Sequence, residues 1–377
     1  MGRAPSTGAL VALVLLLGAC TAANPSATPT PAPTRDPNAL NVTALLDLSG
    51  PRAPNGGAQR DALQLWADQH SSGTPRVKLK ITDVASSPSK TVIELRRAAV
   101  EDRADAIVIG VAVGYDAAFA AAVQLAHVPV IFTLPIPEPA TRGGGWAFAL
   151  APTPAQLARV VLDDAARRSV LSAGLLVSDE STTAIAERIA FEAELARRHV
   201  TPNVVTVTAT EATQKLKPLL ATTTIVFFAG TPRTYLDGAR TATVGTAMYL
   251  SYLCDFGDLG DLRDAVALAS WPGSQWVAAP ATGTSTTLAR TTFVQAYTDR
   301  AGPPTSVAAS AYDALALLSS AAEKSIDPQS VRDQLQSGTF TGVATTYTFS
   351  TSQHAGFNTG DLALLRYVAP RIAPVVR

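Results

Sequence analysis

Beyond Asn41 the apolar positions follow two alternating rhythms. Short runs rich in Val, Ile and Leu read as strands: "VTALLDL" at 42–48, "VKLKITD" at 77–83, "AIVIGVAV" at 106–113 and "PVIFTL" at 129–134. Between them lie "AQRDALQLWADQH", "TVIELRRAAVEDR" and "DAAFAAAVQLAH", whose apolar residues recur three and four apart, the spacing of one helix face. The third run is apolar throughout, as a strand covered on both faces requires. This alternation predicts a parallel sheet with right-handed crossovers. Near Pro152 the series restarts with the helix "PAQLARVVLDDAARR" and the strand "SAGLLVSD" at 172–179. It continues through a long helix from Thr182, "NVVTVTA", a helix at 211–221, "TIVFFAG" at 224–230, another helix and "AMYLSYL" at 247–253. After Ser274 come helices, the last opened by Asp327 as cap and Pro328 in the first turn, and then the strands "TTYTFS" and "ALLRYV". The pattern predicts an α/β protein of two lobes that the chain visits alternately, with a cleft at the carboxyl ends of the strands.

The first forty residues follow neither rhythm. The apolar run Ala9–Leu17 is too short for a bilayer, which needs about 20 such residues. With Arg3 ahead and small residues behind, it has the layout of a secretory signal over residues 1–19. "LGAC", Leu17 to Cys20, resembles the lipobox of bacterial lipoproteins, which implies that Cys20 is acylated and begins the mature chain. The other reading is an ordinary secretory peptide that happens to hold a cysteine. Residues 20–39 are Pro-, Thr- and Ala-rich with almost no large apolar side chain, so they are expected to stay an extended tether. No later stretch is long and apolar enough to span a membrane.

Charge and cysteine content narrow the picture further. Thirty basic and thirty acidic residues give zero formal net charge, which offers a nucleic acid nothing to bind. Two cysteines are present, and with Cys20 lipidated Cys254 has no disulfide partner.

Several segments together resemble the type I periplasmic solute-binding proteins of ABC importers, of the leucine/isoleucine/valine-binding kind. "LDLSGPRAPNGGAQRDALQLWADQ" looks like the family's first strand, loop and helix. "ADAIVIGVAVGYDAAFAAAVQLAHVPVIFTLP" looks like its strand, ligand loop, helix and strand. "AASAYDALALLSSAAEKS" matches its Tyr-Asp-Ala helix, and "LQSGTFTGVATTYTFSTSQHAGF" its closing pattern. The resemblance implies two Rossmann-like lobes with parallel sheets and a three-crossing hinge. One lobe is expected from 40–150 and 275–337, the other from 151–274 and 338–377.

The resemblance also assigns a pocket. The loop after the first strand would border the ligand with Ser49, Arg52 and Asn55. The family's hydroxyl after the third strand aligns with Gly114, beside Tyr115. After the fourth strand Leu134 and Ile136 stand at the ligand, Ile136 where the family has a Thr. On the second lobe the positions are Asp179, Ser181, Thr231, Asp255 and Phe256. Asp255 either meets a ligand ammonium or caps a short helix; Tyr115 either stacks on the ligand or covers a helix start. Arg52 either pairs with an anion or sits in solvent.

No catalytic constellation is visible. The four histidines are scattered without metal-ligand spacing. "TRGGGW" lacks the Lys-Ser/Thr of a phosphate loop, and "SDES" is no nucleophile elbow. Asp163 and Asp164 adjoin on a helix and point about 100° apart, which makes no acid/base pair. The expectation is a monomeric binding protein, without cofactor, metal or catalysis, anchored outside the cell membrane by Cys20. It would close on a small polar molecule (an amino acid, amide or relative) and deliver it to an ABC permease. The alternatives are a sensory or scaffolding descendant of the fold, or a surface enzyme.

Overall fold

The continuous apolar runs pair as strands. The computed structural model describes residues 36–50, 52–169, 171, 174–178, 181–208, 210–230, 246–253, 265–269, 285–368 and 371–374. In the first half, strands β1 (Ala39–Leu46), β2 (Arg76–Asp83), β3 (Ala106–Gly110), β4 (Val130–Phe132) and β5 (Ala147–Ala149) alternate with helices. These are α1 (Ala53–Gln69), α2 (Pro88–Val100) and α3 (Ala117–Ala126). The five strands form one parallel sheet in the order β2-β1-β3-β4-β5. Because strand side chains alternate, Leu40, Val42, Ala44 and Leu46 share a core with Leu63 and Trp66 of α1. Leu45, Ile107 and Ile109 face the other way and pack with Leu95 of α2 and with Phe119 and Val123 of α3.

The second series comprises α4 (Pro154–Arg167), β6 (Gly174–Ser178), α5 (Thr182–Arg197), β7 (Asn203–Thr206), α6 (Ala212–Leu220), β8 (Ile225–Ala229), β9 (Ala247–Leu250) and β10 (Ala265–Ala269). Its sheet has seven strands in the order β14-β13-β10-β9-β8-β6-β7. The last two in sequence, β13 (Ala363–Val368) and β14 (Arg371–Pro374), join it antiparallel. Phe191 of α5 stacks on Phe227 at 3.6 Å between centroids, and Tyr249 donates a 2.7 Å hydrogen bond to Asp164 of α4. Thr153 and Gln156 form a reciprocal capping box that starts α4.

Between the two series and β13 run α7 (Ser285–Ala301), α8 (Ser306–Ala321), α9 (Pro328–Gln336) and the hairpin β11 (Thr339–Thr341)–β12 (Thr346–Thr348). Asp327 caps α9 by accepting the Ser330 N–H at 3.0 Å, as the sequence predicts. Helix α8 packs against α1, so residues distant in sequence cover the first sheet. Asp313 of α8 is wholly buried. It accepts the N–H groups of Val343 (2.7 Å) and Ala344 (2.8 Å) and the Tyr347 hydroxyl (2.9 Å). Arg290 donates to the carbonyls of the same two residues, at 2.9 and 3.3 Å. Donor and acceptor sides of one peptide step are thus held from two helices.

Two features depart from the sequence pattern. Helix α1 begins at Ala53, inside the expected Gly/Pro loop. Pro54 suits a first turn, and a Cβ at Gly56 would collide with the Asp47 carbonyl, so packing demands what helix propensity resists. The segment after β12 also stays with the first sheet, whereas all of 338–377 is expected in the second lobe. His354 stacks on Phe148 at 4.1 Å and contacts the Ala147 carbonyl through Nδ1 at 3.0 Å, while Ala355 bridges to Ala149 of β5.

Candidate ligand-binding cleft

The carboxyl end of β1 opens into a loop held from below. Burial would raise the Asp83 carboxyl, but the Ser49 hydroxyl and the N–H groups of Ala85, Leu48 and Ser49 outweigh it and hold it below the usual range. The Ser49 hydroxyl is therefore engaged in fastening its own loop. Asp47 is buried and accepts the Ser86 N–H at 2.8 Å; burial pushes its carboxyl up. Arg52 follows at the N-cap of α1, half-buried, and its Nη1 donates to the Ala112 carbonyl at 3.4 Å. One turn on, Asn55 reaches to the other sheet's strand ends and donates from Nδ2 to the Leu253 carbonyl at 3.4 Å.

At the ends of β3 and β4 a polar bolt replaces apolar packing. Gln59 of α1 is buried and donates to the Gly110 carbonyl at 2.9 Å, and the Thr133 hydroxyl donates to its Oε1. A Cβ at Gly110 would strike Gln59, so glycine makes room for this bond. The loop then continues to Gly114, which lies directly against Thr182 at the start of α5. A Cβ at Gly114 would stand 2.9 Å from both Cβ and Cγ2 of Thr182. Tyr115 packs against Phe119 and Phe132 at 5.6 and 5.9 Å, and burial pushes its hydroxyl up to about 12. Its ring covers the start of α3. Leu134 and Ile136 are both buried in the apolar cores.

On the second sheet, Ser181 caps α5 by accepting the Ala184 N–H at 3.2 Å. Glu187, nearly two turns further, is fully buried and joins two strand ends. Its Oε2 accepts the Gly230 N–H at 2.8 Å, and its Oε1 accepts the Ser251 hydroxyl at 2.6 Å. Asp179, Thr231, Asp255 and Phe256, like Cys20, lie outside the described residues. Of the positions named from sequence, Arg52, Asn55 and Gly114 gather where the ends of the two sheets meet. Ser49 turns to Asp83, Tyr115 to an aromatic cluster, and Leu134 and Ile136 to the core.

Gln59, Thr133 and Glu187 were not singled out from sequence. For Gln59 and Glu187 the signal available was a long polar side chain on an otherwise core-facing helix stripe. A cavity of about 160 Å³ also lies between α8, α9 and β11, lined by Leu317, Gln334, Phe340 and Phe349 among others, away from these strand ends.

A family model described as periplasmic binding protein matches residues 39–369. No curated protein sequence matches the chain. Among solved structures, the leucine binding protein LivK of Thermotoga maritima superposes with a TM-score of 0.71 at 15% identity, covering 89% of this chain and 98% of that one. A solute binding protein of an ABC transporter from R. palustris, in complex with benzoate, gives 0.73 at 16% identity, covering 89% and 95%. The branched-chain amino acid transporter substrate binding protein LivJ of Streptococcus pneumoniae, in complex with isoleucine, gives 0.70 at 14%, covering 89% and 99%. At these identities the likeness establishes the fold, the type I periplasmic binding arrangement.

Proposed function

We propose, for a chain that belongs to the periplasmic binding protein family, that it captures a small solute between its two sheets outside the cytoplasm and hands it unchanged to an ABC permease. One observation carries the reading: loops from the carboxyl ends of parallel strands in both sheets meet directly, Gly114 against Thr182 and Asn55 against Leu253. A solute lodged there touches both halves at once. It favours the closed arrangement by the contacts that exist only when the halves meet. In this reading each lobe is built on one of the two sheets, the mature chain begins at acylated Cys20, and residues 20–39 tether a monomer to the membrane surface.

The test is a thermal-shift screen against amino acids, amides, polyamines and short organic acids. A solute present at a hundred times its Kd stabilises by about 2.7 kcal/mol and raises Tm accordingly. No response across the panel would overturn the reading in favour of a scaffolding protein, and turnover of a panel member would favour an enzyme. Mass spectrometry of membrane-extracted protein tests the anchor: a diacylglyceryl adduct at Cys20 supports it, and an unmodified protein free in the medium removes it.

A further inference from the structure

We propose that the captured solute is an organic anion and that Arg52 is the side chain that receives its carboxylate; this rests on the binding-protein reading above. The argument begins with place. The guanidinium of Arg52 lies over the loop after β3, at the Ala112 carbonyl, two residues before Gly114 meets Thr182 of α5. On its other flank, one helical turn along, Asn55 makes the second link between the sheets, to Leu253. Arg52 thus stands beside two of the places where the halves touch.

The second step is an account of donors. At the strand ends of the first sheet, the Ser49 hydroxyl is given to Asp83, the Asn55 amide to Leu253, Gln59 to Gly110 and Thr133 to Gln59. Tyr115 is packed in its aromatic cluster. Arg52 differs. A guanidinium carries five N–H donors in a planar fork, and among the described residues one of them is used, in a long bond to a carbonyl. Asp47 is close enough for its charge to interact with that of Arg52, yet no hydrogen bond or ion pair joins them, and its Oδ1 is held by Ser86. A half-buried guanidinium keeps its remaining donors toward water, so an arriving solute need not displace a protein partner to reach them. The partner that fills a planar fork best is a carboxylate, bound through two parallel N–H···O bonds. Primary amides and amines lack the second acceptor or the charge.

The experiment uses the full chain and a panel of simple carboxylates, among them benzoate and hexanoate, each beside its primary amide, with isoleucine and putrescine included. Binding is read by thermal shift and then by calorimetry. The expected result is that a carboxylate binds and its amide does not. Arg52→Gln should weaken that binding about ten- to a hundredfold, the loss of a charge-assisted pair, and Arg52→Lys should recover part of it. Without solute, Arg52→Gln gives up one long hydrogen bond and the attraction of Arg52 for buried Asp47, so the shift each protein shows with solute is read against its own unliganded Tm. A solute that binds equally as carboxylate and amide, or one whose affinity Arg52→Gln leaves unchanged, overturns the proposal and leaves the binding-protein reading standing. A panel in which nothing binds overturns both.

Discussion

Replacing Asp313 with Asn tests how the end of the chain is fastened to α8. The carboxylate accepts three hydrogen bonds, from Val343, Ala344 and Tyr347, at 2.7 to 2.9 Å in a fully buried site. An Asn keeps one accepting oxygen and turns an NH2 group toward at least one backbone N–H. One donor then loses its partner and faces another donor. Relative to an ionised Asp313, each buried donor left unmade costs about 1–3 kcal/mol. A protonated Asp313 itself faces one donor, as Asn does, so Asp313→Asn should cost little where the carboxyl holds its proton. Asp313→Ala strands all three donors and should cost more, on the order of 4 kcal/mol after partial relaxation.

The same residue sets a pH dependence. Burial pushes the Asp313 carboxyl up to about 7, against the pull of its three donors and the positive charge of Arg290. With the folded pKa above the unfolded one, the folded state holds the proton more tightly. The resulting stabilisation is complete below about pH 4 and is lost as pH rises through about 7. Urea unfolding of parent and Asp313→Asn between pH 5 and 8 measures both effects. The gap between the two should change by a few kcal/mol across that range, the parent losing stability toward pH 8 relative to the variant. Equal midpoints for the two proteins at every pH would refute the account of this clamp.

Two further substitutions check the packing around the cleft. Gly56→Ala should destabilise by more than about 2 kcal/mol, because its methyl meets the Asp47 carbonyl, whereas Gly57→Ala, with open space around it, should gain about 0.5–1 kcal/mol; chemical denaturation separates them. Gly114→Val drives a branched side chain into Thr182 and should hold the halves apart, seen as a larger radius of gyration in small-angle scattering without solute. An unchanged radius would mean that this contact does not limit how closely the halves approach.

The readable parts of the sequence were those in which one residue run decides one element. "AIVIG", "GLLVS" and "IVFFA" form strands because nothing else buries so many adjacent apolar side chains, and the Asp327–Pro328 start of α9 is local chemistry. The parallel pairing of the first sheet followed from the βα rhythm. Strands β5, β11 and β14, at three or four residues, carry too little periodicity to be seen and exist because a neighbouring edge supplies their hydrogen bonds. The site was legible to the level of loops. Which side chains in those loops remain available was not, because that depends on partners far along the chain: Asp83 for Ser49, the aromatic cluster for Tyr115, Thr182 for Gly114. The carboxylate of Glu187 is one charge among several along α5, and only the ends of β8 and β9, distant in sequence, single it out.

The way α8 lies over α1 means that neither half of this protein can be cut out as a contiguous gene fragment. A piece ending at residue 150 would carry Leu63 and Trp66 without the helix that roofs them, and its β5 would lack the segment around His354. A piece starting at 151 and stopping before 363 would leave β10 as a bare edge where β13 belongs. As the chain emerges during synthesis, both sheets wait on its last quarter, and a nascent intermediate must keep its sticky surfaces from one another until that quarter arrives.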